Sequence, residues 1–275
     1  MDLSFGPEYE AFRERVRSFL KEHRDEAPPA SIAAAEDAPE LRRWQRILVE
    51  HGYAARTVPK AYGGFGAKPD LLETIIIDEE FRRAGVSRGM SNQGISMFVP
   101  TLLEYGTEEQ KRRWVGPTIR GEMIWCQGYS EPEAGSDLAS LRTRARLEGD
   151  EFVVDGHKIW TSDAHRAQMM FALVRTDPDA PKHGGISYLV IPMDRPGITV
   201  RPLRTMIGTA SFNEVFLDSV RVPRENLIGK LGQGWEIGMT TLVHERNMLG
   251  SSRQTETMLD GCTEVMRETG ALEDP

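Results

Sequence analysis

Two short polar segments decide the fold of this 275-residue chain, QGYSEPEAGSD at residues 127–137 and KIWTS at residues 158–162. Between them, a Gly149-Asp150 turn precedes the β-branched run Phe152-Val153-Val154, and this pattern predicts a β-hairpin. Glu131-Pro132 alone predicts a turn. The sequence therefore places one polar segment on each side of a hairpin.

The residue types in the two segments suit a flat, polar-edged ligand. Trp160 offers an aromatic surface, and Ser130 and Ser162 offer hydroxyls. An isoalloxazine ring needs such a surface, hydrogen-bond partners at its N5 and pyrimidine edges, and donors for the pyrophosphate. Trp160 taken alone favours core packing by about four to one. In the company of the other segment those odds reverse, and the pair predicts a flavin site.

A family resemblance sharpens this prediction. The run YSEPEAGSD at 129–137 resembles the signature of the acyl-CoA dehydrogenases, and KIWTS at 158–162 resembles the tryptophan-hydroxyl segment of the same flavoenzymes. The resemblance covers nearly all of the chain, and it implies FAD as the cofactor. Ser136 also matches the family position that touches the acyl-CoA. The implied cofactor contacts are Gln127, Tyr129, Ser130, Gly135, Ser136, Trp160, Thr161 and Ser162.

The periodicity of apolar residues changes twice along the chain and predicts an α+β multidomain fold. Residues 1–121 repeat at helical spacing and indicate an N-terminal all-α domain. Residues 122–228 alternate with a period of about two and indicate a central antiparallel β domain or barrel of at least six strands. Residues 229–275 return to helical spacing and predict the start of a C-terminal helical bundle. The resemblance implies that this bundle is truncated, because family members usually run on for roughly a further hundred residues.

A second chemical element is the run LVHERNML at residues 242–249. Helical spacing places Leu242, Glu245 and Leu249 on one face, so a carboxylate stands in an apolar stripe. Burial there would make this carboxylate a stronger base. Without further information, a solvated or salt-bridged pair with Arg246 is favoured by roughly three chances in four.

The resemblance favours the catalytic interpretation of this run. In one branch of the family, including the isovaleryl type, the catalytic glutamate lies on this helix immediately before an arginine that helps to bind substrate. Glu245-Arg246 matches that pair, so Glu245 is the candidate base, and His244, Glu245 and Arg246 join Ser136 as candidate substrate contacts. Other branches carry the base much further along the sequence, so a base beyond residue 275 stays open. The six histidines form no zinc motif, and we expect no metal site.

Composition excludes several classes of protein. The net charge of −8 gives no basic footprint for nucleic acid. Cys126 and Cys262 lie far apart, which favours two buried thiols over a disulfide or metal site. No stretch approaches the roughly 20 apolar residues of a membrane span, and the start lacks a secretory signal pattern. We therefore expect a cytoplasmic protein.

The reaction that the resemblance implies is the FAD-dependent α,β-dehydrogenation of an acyl-CoA thioester to the trans-2-enoyl-CoA. An electron-transferring flavoprotein would be the partner that reoxidises the flavin, and the chain would form a homo- or hetero-oligomer. Two alternatives remain. The chain could be a non-catalytic or partly catalytic subunit of a heteromeric acyl-CoA dehydrogenase, or a flavin monooxygenase or nitroalkane oxidase on the same fold.

Overall fold

The computed structural model describes residues 6–34, 38–249 and 252–272. Helices come first, then strands, then helices again, as predicted. The helices are α1 (Pro7–Glu22), α2 (Pro39–His51), α3 (Leu71–Arg83), α4 (Val99–Tyr105), α5 (Glu108–Ile119), α6 (Gly234–Leu249) and α7 (Ser252–Glu268). The strands are β1 (Trp125–Gly128), β2 (Arg144–Glu148), β3 (Glu151–Ser162), β4 (Met169–Arg175), β5 (Ile186–Pro192), β6 (Ile198–Leu203), β7 (Phe212–Pro223) and β8 (Leu227–Ile228). The exact domain boundaries stay a prediction.

Local sequence signals set the ends of several helices. Pro7 begins α1, where its missing N–H costs nothing. Gly52 ends α2 in a left-handed conformation with φ of 75°. At the start of α5, the Thr107 hydroxyl accepts from the Gln110 N–H at 3.3 Å, and the Gln110 side chain accepts from the Thr107 N–H at 2.9 Å. This reciprocal pair is the capping box that the sequence predicts.

The segment before α4 lies directly on the sheet. The sequence predicts one buried helix over residues 94–105, whereas the structure forms a π-helical turn at Gly94–Phe98 and then α4. A Cβ atom on Gly94 would lie 2.4 Å from Cδ1 of Trp125, so only glycine permits this approach. Phe98 stacks on the Trp125 ring with centroids 3.8 Å apart. The helical part is thereby fixed against the first residue of β1.

The strands form one sheet in the order β6-β7-β3-β2-β4-β5-β8, with β1 paired to β4. Most neighbours are antiparallel, as predicted, and β2–β3 is the predicted hairpin. The parallel β1–β4 and β2–β4 pairs were not predicted. The sequence predicts separate strands at 215–217 and 220–222, whereas the structure forms one strand, β7, in which Ser219 has a left-handed φ of 52°. The topology places β1 and β2 along the same edge of β4.

The apolar residues form three clusters, and one joins the helices to the sheet. That cluster contains Phe98 and Trp114 from the helices and Trp125 and Phe171 from the strands, all of them buried. A second cluster covers the other side of the sheet, and a third lies among α1, α2 and α3. The shared cluster gives β1 and β4 a rigid support.

The last helix, α7, and the cysteine that it carries are exposed to solvent. Cys126 is buried, but Cys262 is exposed on α7, so the expectation of two buried thiols is wrong for Cys262. Its side chain belongs to an amphipathic helix whose apolar residues face solvent. The exposed apolar residues of α7 are Met258, Leu259, Val265 and Met266. Within the described ranges, no helix combines the length and apolar content that a membrane crossing requires.

Candidate active site

The two polar segments lie side by side because β1 enters the sheet next to β4, and the chain then passes β3. The backbone N–H of Ile159 donates to the carbonyl oxygen of Ser130 at 2.9 Å. Ser130 and Trp160 therefore belong to adjacent pieces of backbone, although 29 positions separate Ser130 from Ile159 in the sequence. Strand pairing of this kind depends on the whole sheet and cannot be read from either segment alone.

Trp160 stands out of the strand instead of packing into the core. The pairing of β3 with β7 shifts register between Lys158 and Thr161, which marks a bulge. Trp160 lies in this bulge with φ of 58°, a left-handed conformation that is unusual for a bulky residue. Its side chain is 59% exposed, and it meets Phe212 edge to face at 6.0 Å. The indole thus presents an open aromatic surface, and core packing does not occur at this position.

The other polar residues of the two segments differ in burial and in hydrogen bonding. Ser130 and Ser162 are half-exposed, so their hydroxyls lie at the edge of the protein. Among the described residues, the Gln127 Nε2 is buried without a hydrogen-bond partner, whereas the buried Tyr129 hydroxyl lies close to the Tyr188 and Thr241 hydroxyls. Thr161 is fully buried, and its hydroxyl also lacks a partner in the described part of the chain. Burying a polar group without a hydrogen-bond partner costs free energy. A bound ligand could supply partners for the Gln127 amide and the Thr161 hydroxyl.

Gly135 and Ser136 lie in an exposed turn after the first segment. A Cβ atom on Gly135 would have nothing within 4 Å, so the space above this backbone is open. The following residue is held in place, because Nζ of Lys182 lies 2.7 Å from the Asp137 carboxylate. That contact lowers the pKa of Asp137 below its ordinary value. The turn is therefore anchored at Asp137 and open at Gly135.

Lys158 and Glu131 are residues of the site that sequence reasoning missed. Lys158 has no exposed surface, and its Nζ lies 2.8 Å from Oε1 of Glu131. The signal was present in the strand, where Lys158 follows Phe152 and Val154 at even spacing and so points inward. A cation at an inward position requires a buried partner.

Helix α6 brings the candidate base toward the first segment. It packs on β4, β5 and α4. One turn before Glu245, the buried Thr241 hydroxyl lies 3.0 Å from the Thr101 hydroxyl and donates to the Tyr188 hydroxyl at 3.3 Å. Burial raises the pKa of Tyr129, and the neighbouring Tyr188 and the Glu245 carboxylate add to this shift. The Tyr188 ring meets the Tyr129 ring edge to face at 6.3 Å, so the turn of α6 before Glu245 lies near the first segment.

The three residues of the acidic run differ in exposure. Glu245 is half-exposed, so the apolar stripe shields its carboxylate only in part. His244 is also half-exposed, and its Nε2 has no partner in the described part of the chain. Arg246 is exposed. The side chain of Leu249, the third residue of the predicted stripe, lies outside the described residues.

These residues fit a flavin. An open indole, two half-exposed hydroxyls and an unpaired Gln127 amide lie on two hydrogen-bonded segments, as a flat ring with polar edges requires. Glu245 lies one turn of α6 beyond Thr241, which contacts Tyr188 beside Tyr129.

Comparison with known proteins indicates the same family as the two sequence motifs. Residues 6–122 match the model of the acyl-CoA dehydrogenase N-terminal domain, and residues 126–220 match that of the acyl-CoA dehydrogenase middle domain. The acyl-CoA dehydrogenases IpdE1 and FadE34 of Mycobacterium tuberculosis (strain ATCC 25618 / H37Rv) are similar to the chain. IpdE1 is 41% identical over 239 residues, which cover 86% of this chain and 61% of that protein. FadE34 is 47% identical over 236 residues, which cover 85% of this chain and 32% of that protein.

A solved structure shares the fold. The Tcur3481-Tcur3483 steroid ACAD superposes with a TM-score of 0.80 and 33% sequence identity, over 100% of this chain and 71% of that chain. The chain thus spans about 61% of the length of IpdE1 and 32% of that of FadE34. Two family models, the curated relatives and the shared fold agree, and the chain belongs to the acyl-CoA dehydrogenase family.

Proposed function

We propose that this protein takes part in the FAD-dependent α,β-dehydrogenation of an acyl-CoA thioester to the trans-2-enoyl-CoA. The observation that carries this proposal is the outward position of Trp160, held in a left-handed bulge beside Ser130. An indole that is 59% exposed leaves most of its apolar surface in contact with water. A flat ligand that covers it recovers the apolar contact.

The residues of the two segments divide the binding of FAD. Trp160 would lie against the isoalloxazine, and the Ser130 and Ser162 hydroxyls would hydrogen-bond its edges. Gln127, Tyr129 and Thr161 would line the ring. When bound, FAD supplies the acceptor for the hydride that leaves the β-carbon. The open turn at Gly135 and Ser136 leaves room for the coenzyme A part of the substrate.

Glu245 acts on the substrate as the general base. The α-proton of a thioester is weakly acidic, so its removal requires a carboxylate close to it and donors at the carbonyl oxygen as negative charge develops. Water must leave the site, because it would solvate the carboxylate and weaken it as a base. Arg246 and His244, which flank Glu245 in the sequence, contact the substrate.

The partners follow from the same reaction. An electron-transferring flavoprotein would take the electrons from the reduced flavin. The similar structure is the Tcur3481-Tcur3483 steroid ACAD, named for two proteins and a steroid. An unlike second chain and a steroid-side-chain thioester should therefore both be included in the activity measurements. We propose a homo- or hetero-oligomer, because α7 presents Met258 and Leu259 to solvent.

Replacing Glu245 tests the chemistry. We expect Glu245→Gln to slow the anaerobic bleaching of bound FAD by acyl-CoA by about 10²–10⁴-fold, the usual contribution of a general base. The measurement is flavin absorbance after mixing with short, branched, long and steroid-side-chain acyl-CoAs. Glu236→Gln is the matched control, since Glu236 is an exposed carboxylate on the same helix.

Three results would separate this proposal from its alternatives. A yellow protein that no acyl-CoA bleaches would favour a monooxygenase or nitroalkane oxidase. A colourless protein with an intact fold would favour a non-catalytic subunit. Undiminished bleaching by Glu245→Gln would remove Glu245 as the base while leaving the dehydrogenation itself in place.

A further inference from the structure

Lys158 and Glu131 form a buried ion pair that the chemistry proposed above does not use. Each belongs to one of the two polar segments, and neither exposes more than 8% of its surface. We infer that this pair is a positioning device, which holds the Ser130 hydroxyl and the Trp160 ring in one fixed arrangement for the flavin. The inference rests on the proposed function, because it concerns the same binding surface.

The ammonium of Lys158 joins three separate pieces of backbone. Its Nζ donates to Oε1 of Glu131 at 2.8 Å, to the carbonyl oxygen of Tyr129 at 3.1 Å and to that of Leu173 at 2.8 Å. An ammonium has three N–H groups, so each one has an acceptor. One side chain of β3 thus ties together the residue after β1, the turn that follows it and strand β4.

The carboxylate of Glu131 holds the other side of the same junction. In addition to Lys158, it accepts the backbone N–H of Arg142 at 2.6 Å and that of Thr143 at 2.9 Å. These bonds fix the turn after Ser130 to the residues just before the hairpin. Glu131 therefore anchors the first segment at a second point.

Ser130 and Trp160 lie within two positions of this pair. The residue before Ser130 offers its carbonyl to Lys158, the residue after it is Glu131, and the Ser130 carbonyl itself accepts from Ile159. Trp160 follows Lys158 by two residues on the bulge. A displacement of the ion pair must therefore move the hydroxyl, the indole or both.

The balance of charges favours an ionised pair. Burial lowers the pKa of the Lys158 ammonium, and the Glu131 carboxylate opposes this shift. Burial alone would raise the pKa of Glu131, but the Lys158 charge and the hydrogen bonds hold it below its ordinary value. Removing one partner would leave a buried charge uncompensated, whereas removing both is often nearly neutral for stability. This contrast separates positioning from simple stabilisation.

The test uses three variants of the full chain: Lys158→Met, Glu131→Gln, and the double variant that combines them. We expect the dissociation constant for FAD, measured by flavin fluorescence, to rise about tenfold or more in all three, as losses of supporting partners do at other bound groups. The double variant is the decisive one, because it removes both charges and still has an amide oxygen to accept one of the two backbone N–H groups, which Glu131 binds through different oxygens. Thermal melting and circular dichroism report its fold.

The matched control is Glu80→Gln. Glu80 is a carboxylate of similar burial, 4% exposed, and it pairs with Arg13 and Arg17 among the first helices. We expect it to lower the melting temperature without changing the affinity for FAD. A folded double variant that binds FAD within about twofold of the wild type would overturn the inference.

A second readout separates this inference from the proposed function. The chain has five tryptophans, so 5-fluorotryptophan labelling gives five ¹⁹F resonances, and Trp160→Phe assigns that of Trp160. We expect Glu131→Gln to shift the Trp160 resonance and Glu80→Gln to leave it in place. If the wild type binds no FAD, the proposed function is wrong. The position of the Trp160 resonance still tests whether the ion pair holds the Trp160 ring in place. An unmoved Trp160 resonance in Glu131→Gln and the double variant would overturn the inference.

Discussion

Trp160 is the residue at which local strain and exposure coincide. Its left-handed φ of 58° costs of the order of 1–3 kcal/mol for a non-glycine residue, and the structure retains it. Contacts of the indole inside the protein do not offset that cost, because its main aromatic contact is an edge-to-face one with Phe212. Strain held at an exposed aromatic side chain is typical of a binding surface.

Replacing Trp160 should therefore affect binding more than stability. We expect Trp160→Gly to change the free energy of unfolding by less than about 1 kcal/mol, because relief of strain offsets the added freedom of the unfolded chain. The affinity for FAD should fall roughly tenfold or more, since an aromatic stack is worth about 1–3 kcal/mol. Urea unfolding and flavin fluorescence measure the two effects.

Two further variants control this prediction. Trp160→Phe keeps a ring and should restore most of the affinity. Trp125→Ala removes a fully buried ring and should cost about 3–5 kcal/mol of unfolding free energy. A Trp160→Gly variant that loses stability like Trp125→Ala would show that Trp160 is a structural residue.

At the scale of elements, the contact between the π-helical turn Gly94–Phe98 and β1 positions the first polar segment. Gly94 lies against the Trp125 ring, and Phe98 covers that ring. Since Trp125 begins β1 and Ser130 follows shortly after its end, a shift of the ring passes along four residues of strand to the site. The packing of the π-helical turn against Trp125 thus fixes the position of β1, the strand that carries Gln127.

Gly94→Ala should disturb both the fold and the site. A Cβ atom 2.4 Å from the buried indole requires the ring to move, and overpacking of this kind costs about 1–3 kcal/mol of unfolding free energy. We expect weaker FAD binding as well. Gly135→Ala is the control, because its Cβ would meet nothing within 4 Å, and its stability should stay within about 0.5 kcal/mol of the wild type. Equal losses in the two variants would contradict the close contact.

At the scale of the whole molecule, buried carboxylates make stability depend on pH. Burial would raise the pKa of Glu131 and of Glu80, but their cationic partners hold both below the ordinary value. The unfolded chain therefore binds more protons in acid, so the free energy of unfolding should fall as the pH drops from about 5 through the lowered folded pKa values. The stabilisation is complete at neutral pH.

Glu131→Gln tests this dependence. The variant should lose less stability than the wild type between about pH 5 and pH 3, because one of the carboxylates that must be protonated is gone. Urea unfolding followed by circular dichroism at several pH values gives the slopes. Glu133→Gln is the control, since Glu133 pairs with Arg142 at the surface, where both side chains are more than 70% exposed. A Glu131→Gln slope equal to that of the wild type would contradict the assignment.

The exposed face of α7 predicts association of the chain with itself. Met258 and Leu259 are 71% and 64% exposed, and Val265 and Met266 continue the same helical stripe. Light scattering after size-exclusion chromatography should give a mass above that of one chain, and Met258→Ser with Leu259→Ser should lower it. The same change at Met206 and Ile207, which are also exposed, should have no effect. A stable, soluble wild-type monomer would contradict this prediction.

The sequence by itself determined the succession of helices and strands, the helix ends and the two polar segments. Helical and strand periods, the Thr107–Gln110 capping box and the Gly52 terminus all depend on neighbours within a few residues, so local reasoning reaches them. The resemblance, carried by the same short runs, predicted the family. None of these signals contains the distance between two segments far apart in the chain.

Only the tertiary structure decided how those segments meet. The parallel pairing of β1 with β4, the bulge that turns Trp160 outward and the burial of Lys158 against Glu131 each depend on partners 15 to 57 positions away. Register and burial follow from the packing of the whole sheet against the helices, because a strand's neighbours are chosen by the total core that they enclose. The candidate site residues could therefore be named from the sequence, while the geometry that brings the two segments together could not.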